Sequence, residues 1–184
     1  FRLFNRSENK SPRTVQWYDD SLRVFLGWLE ETEKSTLLGD LNIALVREFI
    51  VWQQDKTVKH EHHPFAPPCE GALSSHTIQS RVRALRSFCH WLQREGYTDK
   101  HILEDLSVPK VQKNLVEILT EDEIKAILAA IDRDTAGGGR NYAIVWTLLD
   151  TGLRCSELTG LGFGDAHLEE GYLRVLGKGN KERV

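Results

Sequence analysis

Residues Thr151–Val184 read TGLRCSELTGLGFGDAHLEEGYLRVLGKGNKERV. Ser156 is placed to cap a short helix that runs to about Leu161, because serine is a preferred N-cap residue. Further on, Tyr172–Leu176 and Lys181–Val184 have the composition of strands, and the glycine-rich sequence between them predicts a hairpin turn. The segment therefore predicts a helix junction followed by a small β-hairpin.

Two cations stand out in this segment. Arg154 lies beside a predicted helix N-terminus, where anions are favoured, and Lys178 lies in the turn Gly177–Asn180, where a hairpin needs no cation. The turn lacks the spacing of a phosphate-binding loop and precedes a strand. Two cations at a fixed separation suit the clamping of a phosphate during phosphoryl transfer. For Arg154 alone, a surface salt bridge to Glu157 is an equally good interpretation, and Glu157 could also orient the guanidinium.

Upstream of this segment, apolar residues recur at helical spacing and predict a mainly α fold. The predicted helices cover Pro12–Glu31, Asn42–Asp55, Ser75–Glu95, His101–Leu106 and Arg140–Asp150, and one more begins at the capping box of Thr120 and Glu123. Ser11 is the predicted cap of the first helix. We expect Gly137–Gly139 to break the helix that begins at Thr120, and Gly152 to end the next one.

The order of these elements predicts two domains. Residues 1–107 form a helical bundle, residues 108–116 a polar linker, and residues 117–184 the first part of a mixed helical and β domain.

The net charge of −3 over 184 residues argues weakly against nucleic-acid binding unless a local basic face exists. Three scattered cysteines do not form a disulfide framework, which favours a reducing cytoplasm. No apolar run could span a bilayer, and the absence of methionine suggests a fragment of a longer protein.

One helix face is a candidate for DNA contact. Opposite the apolar stripe of the Ser75–Glu95 helix lie the polar residues Gln79, Arg83, Arg86, His90 and Arg94. Such a face can lie in the major groove or along phosphates, but a solvated face is the commoner explanation of this pattern. Arg81 falls nearer the apolar arc, and we expect it to be partly packed.

The proline-rich stretch from Lys56 to Ser75 is predicted as a loop. It carries or adjoins His60, His62, His63, Cys69 and His76. Histidines and a cysteine could bind zinc, but the spacing matches no compact zinc-finger pattern. An exposed polar loop is favoured, and no metal or other cofactor is predicted.

The sequence resembles the tyrosine recombinase (phage integrase) family. The specific part of the resemblance is TGLRCSEL, followed by Asp165, a strand and GKGNKER. The helical part of the family is resembled less specifically, by SPRTVQWYDDSLRVFLGWL and SSHTIQSRVRALRSFCHWLQREG. The resemblance implies a SAM-like core-binding bundle that clamps DNA, followed by an incomplete α+β catalytic domain. It also raises the Gln79–Arg94 face as a candidate for contact with double-stranded DNA.

The resemblance implies that Arg154 is a catalytic arginine and Lys178 the catalytic lysine of the hairpin, with Glu157 in support. Members of the family cut DNA by attack of a tyrosine hydroxyl, which leaves a 3′-phosphotyrosyl link without cofactor or metal. The full-length protein is expected to act as a homotetramer on two duplexes. The family's His-x-x-Arg motif and tyrosine nucleophile have no counterpart here, so this chain is expected to be inactive.

Two other hypotheses stay open. The chain could be a non-catalytic DNA-binding protein derived from an integrase, which would keep the clamp and lose the chemistry. A helical protein-interaction module is the third hypothesis, and the Arg154–Lys178 pairing disfavours it.

We also expect the second domain to be less stable than the first, because an isolated pair of strands is marginal in water.

Overall fold

The computed structural model describes residues 1–59, 67–111, 116–177 and 181–184. The chain divides into two compact units, Phe1–Asn114 and Leu115–Val184. The boundary between them falls inside the predicted linker at residues 108–116. The DNA-clamp and catalytic roles assigned to the two domains stay predictions.

The first unit is helical, and its helices follow the apolar stripes of the sequence. They are α1 (Arg2–Ser7), α2 (Pro12–Glu31), α3 (Ile43–Asp55) and α4 (Ser75–Arg94). The predicted helices α2, α3 and α4 are confirmed to within a residue at each end, and Ser11 caps α2 by accepting a hydrogen bond from the backbone N–H of Thr14. Helix α1 was not anticipated.

A single apolar cluster joins α2, α3 and α4. Its fully or nearly fully buried members are Phe25, Trp28, Leu29, Val46, Phe49, Val82, Leu85, Cys89, Leu103 and Leu106. The rings of Phe25 and Phe49 meet edge to face with centroids 5.1 Å apart, a favourable geometry for aromatic pairs. This core gives α4 a fixed position, with one face buried and the other turned outward.

The predicted helix over His101–Leu106 is wrong. The segment forms successive turns, with hydrogen bonds from Glu104 N–H to the His101 carbonyl and from Leu106 N–H to the Leu103 carbonyl. These three-residue spacings do not build an α-helix, and Leu103 and Leu106 are instead buried as anchors in the core.

Within the predicted loop, two short strands pair in antiparallel fashion. They are β1 (Val58–Lys59) and β2 (Cys69–Glu70). His60, His62 and His63 lie outside the described residues, and Cys69 is exposed. In the ranges that the structure covers, no group of three or more His, Cys, Asp or Glu side chains could hold a metal ion.

The second unit begins with three helices. They are α5 (Glu121–Ala129), α6 (Ala136–Thr151) and α7 (Cys155–Thr159). The Thr120–Glu123 capping box and the stop at Gly152, which has φ +63°, are confirmed. The expectation that Gly137–Gly139 breaks a helix is wrong, because α5 already ends at Ala129 and the glycines form the first turn of α6, capped by Thr135.

The cap of α7 also differs from the prediction. Arg154, not Ser156, is the N-cap residue, because the Glu157 carboxylate accepts the Arg154 backbone N–H and so satisfies it. Ser156 lies inside the first turn. The order of the elements places Arg154 at the junction of α6 and α7, as predicted.

The strands of the second unit form two antiparallel pairs instead of one hairpin. Strands β3 (Ala166–His167) and β4 (Tyr172–Leu173) pair with each other, as do β5 (Val175–Gly177) and β6 (Lys181–Arg183). The predicted strand Tyr172–Leu176 is therefore divided at Arg174, whose backbone N–H donates to the carbonyl of Asp165 at 2.8 Å.

The second unit buries little apolar surface. Among its described residues, Val175 is the only apolar side chain classed as buried, while Trp146 is 52% exposed and Leu149 is 43% exposed. The mainly α fold with small antiparallel strand pairs agrees with the sequence expectation. In the described ranges, no helix combines the length and the apolar character that crossing a membrane requires.

Candidate functional site

Arg154 lies at the N-terminus of α7 with its guanidinium facing solvent. Its backbone N–H donates to Glu157 Oε2 at 2.9 Å, and its Nη1 donates to Glu157 Oε1 at 2.9 Å. The side chain is nevertheless 67% exposed. A guanidinium carries five N–H donors, so Arg154 keeps donors that an anion can reach. The predicted contact between Arg154 and Glu157 is therefore present.

Glu157 is the buried centre of this site, with a side chain only 4% exposed. Besides the two bonds from Arg154, its Oε2 accepts a hydrogen bond of 2.6 Å from Nη2 of Arg183. The backbone hydrogen bond from Arg154 is the largest cause that lowers the pKa of Glu157 below its ordinary value. Burial raises this pKa, while the side-chain bond from Arg154 and the positive charges of Arg183 and Arg154 lower it further. Glu157 is therefore a carboxylate held between two arginines.

The hairpin of β5 and β6 delivers Arg183 to Glu157. Arg183 is the cross-strand partner of Val175, and partners across an antiparallel pair project to the same face. Val175 is buried, at 4% exposure. Near the other end of β5, a Cβ built on Gly177 would stand 3.5 Å from Glu157 Oε1. The hairpin therefore packs against the Arg154–Glu157 pair.

Lys178 lies outside the described residues. Its neighbours in sequence include Gly177 and, after two further residues, Lys181; these two are paired across the strands at the end of the hairpin. The catalytic role of Lys178 stays a prediction.

A separate ion pair, between Asp165 and Arg174, joins the turn after α7 to the residue between β4 and β5. Asp165 accepts a hydrogen bond from Gly162 N–H at 2.9 Å and one from Arg174 Nη2 at 3.3 Å. The backbone bond from Gly162 is the main reason that the pKa of Asp165 is lowered. A groove of about 400 Å³ beside it is lined by Glu157, Asp165 and Glu182 against one arginine, Arg174. Its acidic lining does not suit a phosphate.

The predicted DNA face of α4 is used in part for contacts within the first unit. Gln79 Nε2 donates to the carbonyl oxygen of Pro109 at 2.9 Å, and Arg86 donates to the carbonyls of Leu106 at 3.3 Å and Glu104 at 3.4 Å. These bonds hold the segment that leaves the bundle.

The other arginines of α4 differ in solvent exposure. Arg94 pairs with Glu8 at 3.7 Å and stays half exposed. Arg83 is exposed and makes no polar contact within the ranges that the structure describes. Arg81 is partly packed, as expected: it donates to the buried side chain of Gln53 at 3.0 Å, and burial lowers its pKa. Arg83 is therefore the side chain of this face that is most available to a partner.

Comparison with known proteins identifies the family. The model of the Phage integrase family matches residues 117–184. Over its full length, the chain is 32% identical to the tyrosine recombinase XerC of Pelotomaculum thermopropionicum and covers 57% of that protein. The tyrosine recombinase XerD of Neisseria meningitidis serogroup A is 41% identical over 57% of the chain and 37% of its own length. Residues 117–184 therefore belong to the Phage integrase family, and the chain as a whole is similar to tyrosine recombinases.

The tyrosine recombinase relatives are longer than this sequence. The chain spans about half the length of the curated relatives that it matches over its whole length, such as the 57% covered in XerC. Among solved structures, the integrase from mycobacterium phage Brujita is matched over 98% of this chain and 54% of its own, at 19% identity and a TM-score of 0.45. Similarity at that level shows nothing about the residues of the site.

Arg183 is the residue of this recombinase-family site that sequence reasoning missed. It is the final residue of the quoted motif GKGNKER, and the hairpin prediction was already made. A register with Val175 opposite Arg183 would have placed the arginine on the buried face of the hairpin. The sequence alone does not set that register.

Proposed function

We propose that this chain is part of a site-specific recombinase or integrase that breaks and rejoins double-stranded DNA through a 3′-phosphotyrosyl intermediate. The observation that carries the proposal is the exposed guanidinium of Arg154, oriented by the buried carboxylate of Glu157 at the start of α7. A second cation, Lys178, follows the hairpin residue that packs beside Glu157. Family membership provides the reaction class.

The role of Arg154 follows from its charge and geometry. Its unused donors would form two parallel hydrogen bonds to the non-bridging oxygens of the scissile phosphate, where negative charge builds as the tyrosine attacks. Glu157 holds the guanidinium in one orientation, so this alignment does not have to be assembled during the reaction. Lys178 would protonate the departing 5′-oxygen.

DNA binding is assigned to the first unit, on α4. Arg83 would contact a phosphate directly. Arg94 would do so from its half-exposed position beside Glu8, while Gln79 and Arg86 would position the backbone segment that leaves the bundle and contribute to the polar face. In the complete protein we propose a homotetramer on two duplexes, acting in the cytoplasm.

The family resemblance implies a tyrosine nucleophile and a His-x-x-Arg motif, and this sequence contains no His-x-x-Arg and no tyrosine assigned as the nucleophile. We propose that the same polypeptide supplies them. If it does not, the protein is a DNA-binding relative of an integrase that keeps the phosphate contacts without the chemistry.

The decisive experiment uses the longest natural polypeptide that contains this chain. It is incubated with a nicked duplex that traps covalent protein–DNA adducts, and the adduct is measured on a denaturing gel. We expect an adduct, and Arg154→Ala should slow its formation roughly a hundredfold, the usual effect of losing one such donor. Duplex binding without any adduct would exclude the recombinase proposal and support the non-catalytic alternative.

A further inference from the structure

One buried carboxylate serves two arginines from different elements. Arg154 of α7 donates to Oε1 of Glu157 at 2.9 Å, and Arg183 of β6 donates to Oε2 at 2.6 Å. Each guanidinium therefore has an oxygen of its own. Two cations and one anion give this cluster a net charge of +1 at neutral pH.

That surplus charge decides what Arg154 can bind. With Glu157 as its only charged neighbour, Arg154 would form a neutral pair, and a neutral pair attracts a phosphate weakly. Without Arg183, Oε2 would keep its bond from the Arg154 backbone N–H and would regain an acceptor position for the Arg154 fork, which matches a carboxylate in bidentate fashion. Arg183 occupies that acceptor position with a hydrogen bond of 2.6 Å.

We propose that Arg183 is a positioning residue that satisfies Glu157, keeps the net charge of the cluster positive and so leaves the Arg154 guanidinium open toward a phosphate. The inference rests on the proposed function, since it assumes that Arg154 meets a DNA phosphate. It goes further by giving a task to a residue on a different strand. Arg183 does not itself have to touch the DNA.

A purely structural role for Arg183 makes a different prediction. In that case the ion pair only fastens β6 to α7, and each further substitution in the cluster weakens the unit more. In the electrostatic role, neutralising Glu157 as well as Arg183 returns the net charge to +1 and restores phosphate binding. The double substitution therefore separates the two roles.

The experiment titrates inorganic phosphate into the 184-residue chain and follows the side-chain Nε–Hε signal of Arg154 by NMR. We expect Arg183→Gln to weaken phosphate binding at Arg154 on the order of fivefold, as removal of one nearby, partly solvated charge should. Arg183→Lys keeps the charge and should stay within about twofold of wild type. The double variant Glu157→Gln/Arg183→Gln should recover most of the affinity that the single variant loses.

Arg174→Gln is the matched control, because Arg174 pairs with Asp165 and not with Glu157. It should leave phosphate binding at Arg154 unchanged. Equal phosphate affinity in wild type and Arg183→Gln would overturn the inference, as would a double variant weaker than the single one. A missing covalent adduct together with a normal phosphate response would defeat the recombinase proposal and leave the role of Arg183 supported.

Discussion

Gln79 on α4 donates a hydrogen bond of 2.9 Å to the backbone carbonyl oxygen of Pro109, thirty residues further along the chain. Arg86, two turns along the same helix, reaches the carbonyl of Leu106 in the same way. A polar face that is a candidate for DNA contact therefore also fixes the backbone that leaves the bundle. Substitutions that remove the backbone contacts should lower stability, whereas substitutions that remove DNA contacts should lower DNA affinity.

Replacing Gln79 by alanine should destabilise the first unit by about 1 kcal/mol, because the partly buried carbonyl of Pro109 loses the hydrogen bond that Gln79 donates. Urea unfolding followed by tryptophan fluorescence measures this, since the core contains Trp28. His90→Ala is the control, because His90 lies exposed on the same helix. A change in His90→Ala as large as in Gln79→Ala would mean that the Pro109 contact has no special weight.

Arg83→Ala should leave stability unchanged and weaken DNA binding. Arg83 is exposed and makes no polar contact in the described ranges, so the fold does not depend on it. Loss of one phosphate contact lowers the salt dependence of duplex binding by about one unit of slope. Fluorescence anisotropy at several salt concentrations measures the slope, and Arg83→Lys should preserve it. An unaltered slope in Arg83→Ala would remove this residue from the interface.

The pH dependence of the second unit should carry a contribution from Glu157. The pKa of Glu157 is lowered in the folded chain from its ordinary value of 4.5, first by the backbone bond from Arg154. A folded pKa below the unfolded one stabilises the fold above the unfolded value, and the contribution is lost as pH falls through the folded value. The stability advantage of wild type over Glu157→Gln should therefore be complete at pH 6 and shrink below about 4.5.

Chemical denaturation followed through a Val175 methyl signal can measure that difference, because Val175 is buried in this unit. Asp165, whose pKa is also lowered, provides the comparison: Asp165→Asn should remove a separate part of the acid sensitivity. A wild-type advantage over Glu157→Gln that is equal at pH 6 and pH 3 would contradict the assignment.

Two neighbouring glycines at the start of α6 should respond differently to alanine. A Cβ on Gly138 would stand within bonding distance of the Asp132 carbonyl oxygen, whereas a Cβ on Gly137 would meet nothing within 4 Å. Gly138→Ala should therefore force the turn apart and destabilise the second unit by at least 1 kcal/mol, the usual cost of overpacking. Gly137→Ala should be neutral or slightly stabilising, as in other helical positions. Equal thermal shifts in the two variants would contradict this difference.

Most of the helical architecture was available from the sequence because its signals are local. Ser11, Asn42 and Ser74 each cap a helix whose apolar stripe follows directly, so the stripe and the cap together fix the start. Where the sequence interpretation was wrong, caps and strand partners that residue preferences do not reveal decided the outcome: Thr135 caps α6 in front of its glycines, and Glu157 satisfies the N-cap of α7. The predicted strand divides at Arg174, where the pairing partner changes from β3 to β6.

The residues of the candidate site also differ in whether their contacts are local in sequence. Arg154 and Glu157 are three residues apart, and their contact follows from helix geometry. Arg183 lies 26 residues from Glu157, and only the register of β5 and β6 brings it there. A local motif can therefore name the first two residues, while the third needs the fold.

The two units should differ in how readily they open. Amide hydrogen exchange reports local opening, which is slow where apolar packing is extensive. In the first unit, Val82, Leu85 and Cys89 of α4 are fully or nearly fully buried, whereas α6 of the second unit leaves Trp146 and Leu149 about half exposed. Amides of α6 and of β5 should therefore exchange much faster than those of α4, and a mild rise in urea should release them first. Protection in α6 equal to that in α4 would show that the second unit has a stability that its own buried apolar surface does not explain.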